Sequence, residues 1–175
     1  TTLTSLGAGN DILLAGANDF GTSLSLTTDV AAGSDATLND ITSVSLAASS
    51  IGGLLDLTAT GIDITGAVSA ASLDFDASGG ALTDAGGSLS VAGNAAFTVT
   101  GASVLTLDNA ANDFAAVLLN SGTGAATVVD ATAIDLGTSV LGGDINVSAT
   151  TLDITDSGSV DVTGASTFTV ANGRD

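Results

Sequence analysis

The chain has 175 residues, 45% of them apolar, and a formal charge of −18 set by 19 acidic residues against one basic one. So apolar a composition excludes a disordered acidic tail, and without His, Cys, Tyr, Lys or Glu acid/base or covalent catalysis would rest on Asp alone, so no enzyme is expected. The lack of cysteine removes disulfides and thiolate metal sites, the longest unbroken apolar run (residues 114–119) is too short to insert in a membrane, and the charge repels nucleic acid.

Long-chain helix formers other than Leu are nearly absent, whereas β-branched residues and the turn formers Gly, Asn, Asp and Ser abound. In chain order, apolar residues fall in alternating pairs: Ile12/Leu14, Leu24/Leu26, Val44/Leu46, Leu55/Leu57, Ile62/Ile64, Leu73/Phe75, Leu89/Val91, Phe97/Val99, Leu105/Leu107, Val117/Leu119, Ile134/Leu136, Ile145/Val147, Leu152/Ile154, Val160/Val162 and Phe168/Val170. Period two predicts strands of about four residues. Clusters such as Asn39-Asp40, Gly52-Gly53, Gly79-Gly80 and Gly142-Gly143 supply the turns between them.

Internal repetition separates a sandwich from a solenoid. Residues 38–65 align without a gap on residues 128–155, an offset of 90. Upstream, Ala17-Asn-Asp-Phe20 recurs as Ala111-Asn-Asp-Phe114 at an offset of 94, and downstream residues 88–99 recur as residues 159–170 at an offset of 71. Between the offsets of 90 and 71 lie 19 residues, and a solenoid is the architecture in which losing one whole coil leaves every remaining neighbour contact intact. In a sandwich the same loss exposes edges. The expected fold is therefore all-β, a parallel β-helix of eight or nine coils of about 19–22 residues with three short strands per coil, rising about 40 Å in all. Residues 1–175 read as one solenoid segment, a piece of a longer repetitive protein, with internal copies at about 11–101 and 104–175.

The runs Leu136-Gly-Thr-Ser-Val-Leu-Gly-Gly-Asp-Ile-Asn-Val-Ser-Ala149, Thr106-Leu-Asp-Asn-Ala-Ala-Asn-Asp-Phe114 and Val162-Thr-Gly-Ala-Ser-Thr-Phe-Thr-Val170 resemble the repeats of filamentous-haemagglutinin-like proteins, the giant β-helical exoproteins of bacteria. The resemblance implies a right-handed, three-sided β-helix that is secreted or displayed on the bacterial cell surface. The expected function is a structural shaft of an adhesin-like protein, meeting a host or neighbouring cell through other domains. The alternative is a self-assembling extracellular filament or sheath subunit, whose partners are further copies stacked on its ends.

All 19 acids are Asp. Along a rod of about 40 Å they give one charge per roughly 2.2 Å, near the axial density of duplex DNA, so a cation atmosphere and diffuse Ca²⁺ uptake are expected. No cofactor is required. Asp63, Asp74, Asp153 and Asp161 alternate with inward apolar residues, which places them on the wet face. Asp74 and Asp76, two residues apart on one face, are the candidate metal pair; Asp11, Asp19, Asp40 and Asp113 read as turn formers that bind backbone through their side chains. Phe20, Phe75, Phe97, Phe114 and Phe168 are placed as core-stacking residues. Thr-x-Thr at residues 2/4, 58/60, 98/100 and 167/169 has the pattern of ice-binding ladders but an irregular spacing. Asn146-Val-Ser148 is a formal glycosylation sequon, and Asn172-Gly-Arg174 resembles a short cell-attachment tripeptide.

Overall fold

In a computed structural model describing residues 1–31 and 33–171, every described strand pairing is parallel and no helix is present among these residues. The strands wind as a solenoid of about eight turns with three faces. Face A is built from Thr2–Ser5, Ser25–Thr28, Ser49–Ser50, Ala67–Ala70, residues 88–91 and residues 113–114. In the last two coils Ile134–Leu136, beside Ala116 and Val117 at the corner between faces A and B, and Ile154–Asp156 stacked on it take its place. Face B follows it in each coil, as Ile12–Asn18, Ala36–Asp40, Leu54–Ala59, Ser72–Ala77, residues 94–99, residues 116–121, Ser139–Leu141 and Val160–Val162. Face C closes the coil with Leu24 bridged to Leu46, then Ser43–Leu46, Gly61–Ile64, Leu82–Thr83, Leu105–Leu107, Ala126–Asp130, Ile145–Ala149 and Ser166–Val170.

Partner residues in adjacent coils lie between 18 positions apart, as Leu55 and Leu73, and 24, as Ile12 and Ala36. This range is wider than the expected 19–22 because the turns at the corners differ in length while the inward pairs stay in register. The two longest strands, Ser88–Val99 and Asp113–Ser121, go well past the expected four residues because they continue round the corner from face A to face B. In the first, a bulge between Val91 and Asn94 lets the chain bend without a turn. Gly93 occupies that bend, where a Cβ would stand 2.9 Å from the carbonyl oxygen of Ala71.

The alternating pairs point inward and form one continuous core. Leu55, Leu73, Ala95 and Val117 follow one another along face B, as do Leu57, Phe75, Phe97 and Leu119 one alternation further on. Each buried side chain therefore meets its equivalent one strand spacing, about 4.8 Å, above and below. Eight rungs at that spacing rise roughly 35–40 Å.

Corners are tight. At Gly124 an added Cβ would overlap the backbone carbonyl of Ser103, and at Gly143 that of Gly124. Glycine sits here because successive corners stack backbone on backbone.

The ladder also resolves what the internal copies are. Leu55 lies on face B whereas Ile145, its match at an offset of 90, lies on face C; Phe97 on face B matches Phe168 on face C at an offset of 71. The first offset is four coils and one face, the second three coils and one face, so they differ by one coil. Each copy is thus turned by one face relative to its partner. The sequence repeats in units of one strand and one turn, and the three faces accept the same unit.

Candidate functional site

Asp74 and Asp76 project from face B, and the register sets Asp74 directly beside Asp56 of the preceding coil. Burial, followed by repulsion from Asp76, raises the pKa of Asp56; burial, then Asp76 and Asp56, raises that of Asp74. Like charges thus stack here about one strand spacing apart, as expected for outward Asp. Elsewhere the ladder alternates: Asp63 lies between Ser45 and Thr83, and the Thr83 hydroxyl donates to it at 2.8 Å. Among the described residues no group of three or more carboxylates is placed to hold a metal ion.

Several other Asp sit at corners. Asp19, Asp29 and Asp40 accept backbone N–H groups two residues ahead, which is the turn role read for Asp19 and Asp40. Asp11 accepts the N–H of Asp35 across to the next coil at 2.9 Å, and Asp113 takes the Thr132 hydroxyl at 2.9 Å. Sequence reading missed a buried carboxylate–amide pair: the Asn112 side chain donates to Asp84 at 2.6 Å, and the N–H groups of Asp108 and Asn109 also point at Asp84. Burial outweighs these bonds and raises the Asp84 pKa. Asn112 in turn accepts the N–H of Leu89 at 2.9 Å. The signal available was Ala111-Asn-Asp-Phe114 itself, whose Asn and Asp recur with Phe in both copies. This network stitches a turn to neighbouring coils and has no free reactive group.

Phe75, Phe97 and Phe114 form an edge-to-face stack with centroids 6.0 and 5.8 Å apart, and all three are fully buried. Phe20 is only half-buried against the same core. Phe168 is 49% exposed, so its placement as a buried stacking residue is corrected. It does sit above Val147 in register, but it belongs to the last described rung, and no described coil covers its other side. With Leu136, Ile154, Val160 and Val170 it lines an open hollow of about 490 Å³.

The Thr-x-Thr pairs do not stack into a continuous threonine ladder: Thr2 and Thr4 lie beside Ser25 and Thr27, while Thr98 lies between Asp76 and Asn120. Asn146 is exposed on face C, with Ser148 two residues further along the same strand. Asn172-Gly-Arg174 lies outside the described residues.

The family model described as "Repeats of unknown function (DUF5649)" matches residues 62–120 and 123–175. The first match begins in a strand of face C and ends in a strand of face B after three full coils, and the second begins in the turn just before the face C strand Ala126–Asp130. The family unit therefore keeps phase with the solenoid, unlike the internal copies found by direct alignment. No curated protein and no solved structure matches the chain. Because the two matched segments cover more than half of its length, the chain belongs to this family of repeats.

Proposed function

We propose that the chain is a structural shaft segment of a secreted or cell-surface, filamentous adhesin-like protein, and not an enzyme. One observation carries the reading: what recurs from copy to copy is what holds coils together. The inward pairs, the corner glycines and the Asp caps repeat, while the outward column on face B runs Asp56, Asp74, Ala96, Leu118 with no recurring chemistry. Each of the copies at offsets of 90 and 71 is turned by one face, so a feature tied to those copies recurs on a different face of the rod. Such a body suits distance and stiffness. The resemblance of residues 106–114, 136–149 and 162–170 to bacterial exoprotein repeats supports the extracellular setting.

The rival reading is a filament subunit that stacks end to end through its edge strands. Negative-stain imaging of the purified chain with and without millimolar Ca²⁺ separates the two. Isolated short rods in both conditions support the shaft. Long fibres overturn it in favour of assembly.

A further inference from the structure

Face B displays two outward columns. One runs Asp56, Asp74, Ala96, Leu118, and the other runs Asp76, Thr98, Asn120, Val140, Asp161. Between the carboxylates at either end, Ala96, Leu118 and Val140 line a hollow of about 360 Å³. Val140 is 56% exposed. A Cβ at Gly137 would come within 2.9 Å of the Leu118 side chain, so glycine at this position leaves Leu118 its space on the face.

The carboxylates above the hollow differ from their neighbours. Asp63, Asp135 and Asp144 accept hydrogen bonds from the next coil, whereas no described residue donates a hydrogen bond to Asp56, Asp74 or Asp76. Asp56 and Asp74 are partly desolvated and repelled by Asp76. A positive charge placed over them relieves that repulsion. A second copy of this chain brings a formal charge of −18 of its own, so self-association through this face is opposed electrostatically.

We propose that face B from Asp56 to Val140 is a docking surface for a cationic amphipathic polypeptide segment, with Lys or Arg over Asp56, Asp74 and Asp76 and apolar side chains in the hollow of Ala96, Leu118 and Val140. From Asp56 to Val140 is four coils, about 19 Å, which about six extended residues span when laid along the rod. Apolar contact supplies what diffuse polyanion attraction lacks, a fixed position along the shaft. The proposal goes beyond the shaft reading and survives its failure, since a filament subunit would carry the same face.

The test is a fluorescence-anisotropy titration of the full chain with two labelled peptides of equal length and charge, one alternating Lys and Leu, the other Lys and Ser. The Lys–Leu peptide is expected to bind at least about tenfold more tightly, a difference of about 1.4 kcal/mol. Leu118→Ser with Val140→Ser removes that advantage and leaves Lys–Ser binding unchanged. Asp56→Asn, Asp74→Asn and Asp76→Asn together weaken both peptides more than the equally charge-reducing set Asp108→Asn, Asp153→Asn and Asp156→Asn, which lies outside both columns. Equal affinity of the two peptides for the unmodified chain overturns the proposal, as does undiminished Lys–Leu binding by the serine variant. Should a variant lose its β-sheet circular dichroism, the comparison of the two peptides on the unmodified chain decides alone.

Discussion

The carboxylate of Asp130 accepts the backbone N–H of Phe114 in the preceding coil at 2.7 Å, and Asp40 accepts that of Phe20 in the same way at 2.9 Å. Each Asp also takes the N–H of the Thr two residues on, Thr132 or Thr42, at 2.7 Å. The pair lies 90 residues apart in sequence, yet one caps the corner between faces B and C and the other the corner between faces C and A. One cap thus serves two corners of the rod. Asp130→Ala orphans the Phe114 N–H in the interior, so a loss of about 1–3 kcal/mol is expected in urea unfolding. A loss below about 0.5 kcal/mol would show that the cap is ornamental.

Stability should rise on mild acidification. Burial, the first cause in each case, raises the pKa of Asp56, Asp74, Asp84 and Asp130. Between the ordinary value of 3.8 and those raised values the folded state holds more protons than the unfolded chain, so unfolding free energy falls as pH climbs through that window. Asp40 runs the other way. Burial penalises its carboxylate, but hydrogen bonds from Phe20 and Thr42 outweigh that and lower its pKa, so its contribution holds above 3.8 and is lost as pH drops through the lowered value. Four groups against one predict a Tm that increases from pH 7 down toward the carboxylate range and falls only in stronger acid. A Tm that declines steadily from neutrality would contradict this.

Phe97 is the middle ring of the stack, touched by Phe75 on one side and Phe114 on the other. Phe97→Ala leaves a cavity between the rings of Phe75 and Phe114, with an expected cost of about 3–5 kcal/mol by chemical denaturation. Phe168→Ala removes a ring that is half exposed. It should cost well under half as much, and equal losses would mean that Phe168 is buried in solution.

Glycines at stacked corners should be intolerant, and a strand glycine with open space around it should not. Gly124→Ala drives a methyl group into the Ser103 carbonyl, so a cost of about 1–3 kcal/mol is expected, whereas at Gly16 no atom lies within 4 Å of an added Cβ. Thermal unfolding of the two variants side by side checks the contrast.

Calcium should act on the rod as a polyanion. Because no described group of three carboxylates is placed for a metal, the expected response to Ca²⁺ is a gradual rise in Tm, larger than that from Na⁺ at equal ionic strength. Identical Tm values in the two salts would remove the divalent effect, and sharp saturation at one equivalent would reveal a built site.

Leu73, Asp74 and Phe75 show why the fold was legible: the alternation states which residues face in, and β pairing in a solenoid needs little else. The 19-residue difference between copies likewise declares the coil. Which face a strand occupies was not legible, because Leu55/Leu57 and Ile145/Val147 are the same inward pair followed by the same kind of turn. Only the count of turns places one on face B and the other on face C. Burial of Asp84 and Asp130 was hidden for a related reason. Both look like the turn Asp at residue 19, and the difference lies in the coil stacked over them. The hollow of Ala96, Leu118 and Val140 brings together residues 22 apart and more, as Ala96 and Leu118 do, across three coils, which no local pattern announces.

The central claim is a shaft of interchangeable stacked coils, and removing one coil tests it most directly. Ala95 occupies in its coil the place of Leu73 in the coil before, so deleting residues 73–94 removes one turn in register. Small-angle scattering should report a folded rod shorter by about one strand spacing, near 4.8 Å, with its β-sheet circular dichroism retained. A collapsed or unfolded product from this in-register deletion, no better than one lacking only residues 73–83, would contradict the account.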